Sequence, residues 1–432
     1  MTDLKTDKPT VDGNSLGSIS LSGNSDEKTS DSNEELKKCL KNLKICRIAT
    51  VPYFMVSQLK SQAEYLKDLG MQVVLISSAG TEWSKISVGK GLSVKIINIP
   101  RSLAPLQDFI ALLRLIFFFS RQHFDIVHST TPKAGLLSAI AGFITGIPIR
   151  LHTFTGQPWV TLQGMIRWAS RSADKLIGLL NTKCYADSVS QMEFLITEGI
   201  VPVGQIAVIG KGSLAGVDTE RFNPDRWTLS KKLEIRASLG IGVSSSVLIF
   251  LGRISPDKGI AELIDAFHEL LRMKYDVDLV LVGPHDNDCG GDRSLNLNKV
   301  GECSRIHHTG YTECPEQYLC ISDIFCLPSY REGFGTVVIE AAAMGLPTVG
   351  TKIYGLTDAV VDGKTGLLVP PRNPQELFLA LKKVLDDPQM LQAMGSAART
   401  RCLEHFDARI VNANVAREYM RILKTKRRVS SW

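Results

Sequence analysis

The chain has 432 residues, of which 44% are hydrophobic and 22% are charged. This composition is ordinary for a globular protein, and the length favours two domains because a single hydrophobic core stops growing near roughly 250–300 residues. No apolar run reaches the roughly 20 residues that span a bilayer, and the N-terminus lacks the charged start and apolar core of a signal peptide. With nine scattered cysteines and no C-x-x-C pair, we expect a cytoplasmic protein with reduced thiols.

The net charge of +6 is distributed unevenly along the chain. Residues 45–215 carry sixteen basic and nine acidic residues, whereas residues 216–432 carry twenty-seven of each. A basic first half can attract an anionic lipid, a phosphate or a nucleic acid, although solubility alone would also account for it. Nucleic-acid binding should interleave aromatic with basic residues. Because the chain has no such stretch, we expect no nucleic-acid partner.

Residues 1–44 are rich in Ser, Asp, Lys, Gly and Asn and contain no aromatic residue. This predicts a disordered tail with room for a short helix at its end. After it, helical stretches separate five predicted strands, which read "ICRIATV", "MQVVLISS", "LSVKIINI", "FDIVHST" and "IPIRLHTF". Continuous Val- and Ile-rich strands of this kind indicate a parallel sheet that is covered on both faces.

The alternating pattern restarts after an apparent join at "GVDTERFNPD". Further strands read "SVLIFLGRI", "VDLVLVG", "RIHHTG" and "DIFCLPS", and they alternate with helices such as "GIAELIDAFHELLRM" and "TVVIEAAAMG". We therefore predict an α/β protein with two doubly wound domains. Such sheets bind ligands beyond the carboxyl ends of their strands, so two facing sheets would form a site in the cleft between them.

Two glycine-rich stretches imitate nucleotide-binding motifs. Residues 210–216 have a G-x-G-x-x-x-G spacing, but Pro224 follows where a long helix should run. The Gly-Lys-Thr at 363–365 lacks the glycine of a P-loop five positions earlier, where Asp358 stands. We therefore expect no NAD, no FAD and no other cofactor.

The stretch "SYREGFGTVVIE", residues 329–340, carries the strongest chemical signal. Its loop follows a predicted strand and leads into a helix near Thr336, whose first amide groups have no partner within the helix. Gly333 and Gly335 let the backbone approach a ligand closely, so the loop suits a phosphate. Glu340 lies one turn into an apolar helix, where a carboxylate either accepts the two hydroxyls of a ribose or pairs with a buried cation.

The stretch "GRISPDKGI", residues 252–260, supplies positive charge after another predicted strand. Arg253 and Lys258 can hold a diphosphate, since each charged hydrogen bond contributes about 1.5–3 kcal/mol. Lys258 can also stabilise negative charge as a diphosphate leaves. The alternative is that both are solvated charges beside a turn.

In these stretches the chain resembles the family 4 retaining glycosyltransferases, which have the GT-B fold. The resemblance runs from about residue 45 to the C-terminus and is most specific over residues 312–372. It implies two Rossmann-like domains that face each other across a cleft. These would be an acceptor-side domain over 45–216, a donor-binding domain over 217–408, and a helix over 409–432 that crosses back to the first domain.

The resemblance also implies the roles of individual residues. Arg253 and Lys258 would contact the donor diphosphate, Glu340 the ribose, and Glu332 would lie beside the transferred sugar. The other donor contacts would come from the loop, at Gly333, Phe334, Gly335 and Thr336. The catalytic residues would be Glu332, Lys258 and His152. Transfer would keep the anomeric configuration by same-face attack, with the leaving diphosphate as base and without a metal.

One departure concerns the first domain, where the family often has His-Gly. The stretch "LHTFTGQPW" places Thr155 and Gly156 at this acceptor-side position, with His152 three residues earlier. His152 is therefore either catalytic or a packed strand residue. The same stretch looks like bacterial enzymes that extend lipid-linked glycans. This implies a nucleoside diphosphate sugar donor, such as a UDP-N-acetylhexosamine, and a polyprenyl-diphosphate-linked acceptor in surface polysaccharide synthesis. The alternative is a sugar-nucleotide epimerase of GT-B type.

The stretch "PLQDFIALLRLIFFFSRQHF" is a bulky apolar helix that also holds Arg114 and Arg121. Burial against the first sheet would explain it. A contact with a membrane or a polyprenyl chain is the other interpretation, and the basic first domain favours it. We therefore expect a cytoplasmic protein with a peripheral contact to the cytoplasmic face of the membrane.

Overall fold

Two parallel sheets organise the part of the chain that the computed structural model describes, which is residues 34–86, 89, 91–102, 104–285 and 303–430. The prediction for residues 1–33 lies outside these ranges. The first sheet has seven strands in the order β3-β2-β1-β4-β5-β6-β7. Their bounds are β1 Lys44–Ile48, β2 Gln72–Ser77, β3 Leu92–Ile96, β4 Ile126–Thr130, β5 Ile149–Phe154, β6 Lys183–Ala186 and β7 Ile206–Val208.

The second sheet has six strands in the order β10-β9-β8-β11-β12-β13. Their bounds are β8 Ser246–Leu251, β9 Val277–Val282, β10 Ile306–Gly310, β11 Ile324–Leu327, β12 Thr348–Thr351 and β13 Gly366–Val369. In both sheets the order reverses beside the first strand, between β1 and β4 and between β8 and β11, and a ligand crevice opens at such a reversal. The predicted α/β fold with two Rossmann-like domains is confirmed.

Helices connect the strands and cover the sheets. Those of eight or more residues are α1 Lys60–Asp68, α2 Pro105–Gln122, α3 Pro132–Ile144, α4 Gly164–Leu180, α5 Val189–Thr197, α6 Leu229–Ser238, α7 Ile260–Arg272, α8 Thr336–Ala343, α9 Pro374–Leu385, α10 Pro388–His405 and α11 Ala408–Ser430. Pro52–Phe54 and a π-helical turn, Met55–Leu59, lead into α1. Shorter helical segments are Thr81–Lys85, Pro158–Val160, Pro224–Arg226, Pro256–Lys258, Glu316–Leu319 and Leu356–Ala359. None of the helices in the described ranges is long and apolar enough to cross a membrane.

Alternation along β1 shows how the first sheet is covered on both faces. Ile45 packs into a core with α1 and α11, whereas its neighbour Cys46 packs into a separate core with α2 and α3. Successive side chains of a strand point to opposite faces, so a strand that is buried on both faces needs a helical layer on each side. The helices α2, α3 and α4 form one of these layers, with α3 in the middle.

The last helix returns to the first domain, as the resemblance implies. The crossing is held by Val217, whose N–H donates to the carbonyl of Phe406 and whose carbonyl accepts from Ala408, each at 2.8 Å. Further along α11, the Tyr419 hydroxyl lies 2.5 Å from Arg47 Nη1 and 2.6 Å from His128 Nδ1. The helix thus ties the C-terminal end of the chain to the core of the first sheet.

The first described residues differ from the prediction of a tail over residues 1–44. Residues 34–40 are helical, and Leu36 and Leu40 are fully buried in the core that α1 and α11 share. The two leucines lie four positions apart and therefore share one helix face. The Lys424 ammonium also donates to Glu35 at 2.6 Å. The short helix expected at the end of the tail is therefore present, but the prediction of disorder is wrong for residues 34–44, because this helix has a tertiary partner.

Candidate active site in the interdomain cleft

The loops after β8 and β11 meet at the carboxyl edge of the second sheet. Because these strands are neighbours in the sheet, Lys258 and Glu332 come together although 74 residues separate them. The Lys258 Nζ donates to Glu332 Oε1 at 2.5 Å, and both side chains are largely buried. Gly259 has φ of 67° and packs so tightly that a Cβ would clash with the carbonyl of Pro328. The sequence thus predicts two partners that the fold places in contact.

A second set of charges surrounds this pair. Arg331 forms an ion pair with Asp257 at 3.0 Å. Burial alone would raise the pKa of Asp257, but the Ser255 hydroxyl and the charges of Arg331, Lys258 and Arg253 hold it below its ordinary value. Arg253 therefore lies close enough to act on the same carboxylate. The cluster carries more cationic than anionic groups, as a site for a diphosphate requires.

The buried side chain of Phe334 anchors the glycine-rich loop, residues 329–335. This side chain is buried, and its ring lies 5.1 Å from that of Phe406. Gly335 follows with φ of 84°, a left-handed conformation that favours glycine, and it opens α8 directly before Thr336. The Thr336 hydroxyl lies 3.5 Å from Gln58 Oε1 in the first domain. The anchor fixes the start of α8, whose first amides can donate hydrogen bonds to an anion.

Glu340 lies further along α8 and is half-buried. Burial raises its pKa to about 7, which the charge of Arg221 opposes and that of Glu316 reinforces. Arg221 directs its Nη2 to Glu316 at 2.8 Å. Among the described residues, none donates a hydrogen bond to the Glu340 carboxylate. No ion pair to Glu340 is formed within the described part of the chain, although the charge of Arg221 acts on it, and the carboxylate can accept hydroxyls of a ligand.

The acceptor-side residues Thr155 and Gly156 approach the same loop from the first domain. A Cβ on Gly333 would lie 2.7 Å from the carbonyl of Thr155, and one on Gly156 would lie 3.7 Å from the Gly333 nitrogen. The Ser188 hydroxyl donates to the Gly333 carbonyl at 2.9 Å. The two domains are therefore closed on each other at Gly333, one residue from Glu332.

His152 does not lie in this cleft. Its side chain is 1% exposed, its Nδ1 is 2.9 Å from the Ser129 hydroxyl, and its ring packs edge-on against Phe154. Burial lowers its pKa to about 3, so the imidazole is neutral. The ring also fills the space against α3 that a side chain at Gly135 would need. These contacts favour the alternative of a packed strand residue, and the catalytic role of His152 stays a prediction.

Asp187 belongs to the closed cleft but was not predicted from the sequence. It follows the four-residue strand β6, is buried, and has an Oδ1 with no hydrogen-bond partner among the described residues. Its Oδ2 would lie 3.2 Å from a Cβ on Gly333. Burial raises its pKa to about 8. The available signal was an acid at the carboxyl end of a strand, and it was missed because the strand itself was not recognised.

A second unpredicted contact joins the domains through Asp358. Its carboxylate accepts from the amides of Val189, at 3.2 Å, and Ser190, at 3.1 Å, at the start of α5. The Ser190 hydroxyl also donates to it and accepts from the Gly355 amide at 2.8 Å. A carboxylate of the second domain thus caps a helix of the first, where the helix dipole favours a negative charge.

The comparisons with known proteins cover both domains. Residues 55–212 match the family "Glycosyl transferase 4-like domain", and residues 231–401 match "Glycosyl transferases group 1". The capsular polysaccharide biosynthesis glycosyltransferase CapM of Staphylococcus aureus is 30% identical over 387 residues, which cover 89% of this chain and 99% of that protein. An Escherichia coli "UDP-Gal:alpha-D-GlcNAc-diphosphoundecaprenol alpha-1,3-galactosyltransferase" is 26% identical over 73% of this chain and 81% of its own.

Solved structures share the fold at lower identity. Anabaena HepE, solved with UDP and glucose, is 21% identical with a TM-score of 0.72 over 88% of this chain and 99% of its own. The sucrose-phosphate synthase of Thermosynechococcus elongatus is 19% identical with a TM-score of 0.73 over 89% of this chain and 100% of its own. The predicted resemblance is therefore confirmed at the level of the family. The chain belongs to the group 1 glycosyltransferases and has their GT-B fold.

Proposed function

We propose that this glycosyltransferase moves a sugar from a UDP-sugar, such as a UDP-N-acetylhexosamine, to a lipid-linked glycan with retention of configuration and without a metal. The observation that carries the proposal is the Lys258–Glu332 contact of 2.5 Å beside the start of α8. It combines a cation for the leaving diphosphate with an acid for the sugar at one edge of a nucleotide-binding sheet.

The donor is proposed to lie along the second domain with its diphosphate between Arg253, Lys258 and the first amides of α8. Glu340 then accepts the ribose hydroxyls, since no described side chain donates to its carboxylate. Glu332 lies beside the sugar and holds the Lys258 ammonium in position. As the bond to the sugar breaks, Lys258 stabilises the charge that develops on the diphosphate.

Retention is proposed to follow from attack of the acceptor hydroxyl on the face that the diphosphate leaves, with a diphosphate oxygen taking the proton. The Glu332 carboxylate supports this mechanism because its Oε1 is engaged by Lys258 and is therefore a weak nucleophile. Domain closure at Gly333 would bring the acceptor side, with Thr155 and Gly156, against the sugar.

The relatives support the choice of substrates. The Escherichia coli relative is named for a UDP-galactose donor and a diphosphoundecaprenol-linked acceptor, and CapM is named for capsular polysaccharide synthesis. HepE was solved with UDP and glucose. By analogy we propose a polyprenyl-diphosphate-linked acceptor and a place at the cytoplasmic face of the membrane.

A thermal-shift screen of UDP-, GDP- and ADP-sugars tests the donor. Ligand at about 100 times its Kd stabilises a protein by about 2.7 kcal/mol, so the matching donor should raise Tm by several degrees. The same donor should release UDP only when a polyprenyl-diphosphate-linked glycan is added. A shift with none of the three nucleotides would refute the donor proposal. Conversion of the UDP-sugar to its epimer without acceptor would instead identify an epimerase.

A further inference from the structure

The outer side of α2 is as apolar as its inner side. Ala111, Leu115 and Phe119 form the buried stripe that packs on the first sheet. On the opposite side of the same helix, five large hydrophobic residues are exposed: Leu106, Phe109, Ile110, Leu113 and Phe117. An amphipathic helix on a globular domain should be polar on this side. Burial against the sheet therefore explains only half of this helix.

The exposed apolar surface continues across the two neighbouring helices. Phe143 and Ile144 are exposed at the end of α3, which packs between α2 and α4. The first two turns of α4 are exposed nearly all round, with Met165 at 86% and Trp168 at 72% of full exposure. Leu179 continues this side of α4 at 76%. We call this surface of α2, α3 and α4 the outer helix face.

The charges of the outer helix face are of one sign. The three helices contain two acidic residues, and neither is an exposed anion. Asp108 pairs with Lys133 at 2.8 Å, and Asp174 is buried where it accepts from the Trp159 indole. The exposed charged residues are basic: Arg114, Arg121, Arg167 and Lys175. The Arg121 guanidinium lies 3.8 Å from the centre of the Phe117 ring, so cations and apolar groups are interleaved.

We propose that the outer helix face docks on the surface of a bilayer that contains anionic lipids. Apolar side chains that insert at the headgroup boundary, a Trp among them, and cations that meet acidic headgroups are the two contributions that hold a protein at such a surface. A second copy of the chain is a poorer occupant, because a symmetric contact of this face with itself would bring like charges together.

The inference deepens the proposed function and depends on it for the identity of the acceptor. The exposed start of α4 follows Gly156 of the acceptor-side loop by eight residues, a span of at most about 29 Å. Docking by this face would therefore hold the acceptor-side rim of the cleft close to the membrane. A polyprenyl-linked acceptor could then stay in the bilayer while its glycan enters the cleft.

Vesicle sedimentation of the full-length protein tests the inference. Wild type should sediment with vesicles of phosphatidylcholine and phosphatidylglycerol in equal parts, and much less with phosphatidylcholine alone. The variant F109S/L113S/W168S should bind at least about tenfold more weakly, and R114Q/R167Q should lose a similar factor on anionic vesicles only. About 1 M salt should mimic the second variant. The matched control is L229S/V243S, which changes two exposed apolar residues of the second domain.

Transfer to a water-soluble acceptor analogue separates this inference from the proposed function. All variants should keep wild-type transfer in solution, while the face variants should lose transfer to acceptor embedded in vesicles. Equal vesicle binding by wild type and face variants would overturn the docking surface. The docking surface would also be overturned if wild type did not bind vesicles and formed, in sedimentation equilibrium, a dimer that the face substitutions abolish. Vesicle binding by a protein that transfers no sugar would leave the docking surface standing and refute the proposed function.

Discussion

The Asp358 cap of α5 should control the balance between closed and open domains. In the closed arrangement its carboxylate accepts from the Val189 amide, the Ser190 amide and the Ser190 hydroxyl. These bonds cross between domains and break when the cleft opens. The substitution D358A removes all three and leaves the first amides of α5 without this partner.

The size of the effect follows from these contacts. A hydrogen bond to a charged group contributes about 1.5–3 kcal/mol, and a carboxylate at a helix N-terminus adds about 0.3–1 kcal/mol. Asp358 is half-buried, so solvent screens part of this sum. We expect a net loss of about 2 kcal/mol from the closed state, which is a factor of about 30 in its population relative to the open state.

Small-angle scattering with and without UDP provides the assay. Wild type should be compact in both conditions, whereas D358A should show a larger radius of gyration without UDP and recover part of the difference with UDP. E376Q is the matched control, because Glu376 is an exposed acid in the first turn of α9. A radius of gyration for D358A equal to that of wild type in both conditions would refute the assignment of Asp358 as an interdomain latch.

Three further predictions concern the site. E332Q and K258A should each lower kcat per folded enzyme by more than about 100-fold. Turnover near wild type in either variant would contradict its role, and E376Q again serves as control. Donor binding should weaken as pH falls below about 7, by up to about tenfold per pH unit, because the protonated Glu340 side chain accepts ribose hydroxyls less well. Isothermal titration of UDP should show this slope in wild type and not in E340Q, and the same slope in both would argue against ribose binding at Glu340. H152A should lower Tm, because it leaves a cavity beside α3. It should change kcat per folded enzyme by only a few-fold, and a fall in kcat of about 100-fold would support a catalytic role for His152.

The sequence predicts the long apolar strands and the charges of the second domain better than the contacts across the cleft. The strand β9 is buried throughout, and five of its six residues are valine or leucine, with Asp278 as the exception, so it was recognisable. The strands β6, β12 and β13 have four residues each, so no period can be read from them. The strand β11 is equally short, but all four of its residues are apolar, and it was predicted.

The residues of the candidate site show the same difference between patterns that the sequence reveals and contacts across the cleft. Lys258 and Glu332 end neighbouring strands, so sheet topology brings them together once both strands are recognised. Asp358 meets α5 across 168 residues and only when the domains close. No local pattern predicts a contact that depends on the relative position of two domains. His152 was ambiguous for a related reason, since its place inside or outside the cleft is set by α3 packing on β5.

A substitution at Gly333 tests whether catalysis needs the closed arrangement of the two domains. A side chain at this position is excluded by the first domain and not by the backbone conformation of the loop. Gly333 does not have a positive φ, so alanine fits the loop conformation. A methyl group there would lie 2.7 Å from the carbonyl of Thr155 and 3.2 Å from Asp187 Oδ2, both in the first domain. Contacts under 3.0 Å require movement, and the nearer atom is backbone.

The substitution G333A should therefore prevent full closure while the second domain still binds UDP. We expect kcat for sugar transfer to fall by more than about 100-fold, since misplacement of about 1 Å has effects of this size, with UDP affinity within a few-fold of wild type. G335A is the contrasting variant. Its φ of 84° and a methyl 2.9 Å from Leu356 strain the start of α8 itself, so UDP binding should weaken as well. If G333A turned over like wild type, catalysis would not need the two domains to approach this closely, and the acceptor-side role of Thr155 and Gly156 would fail with it.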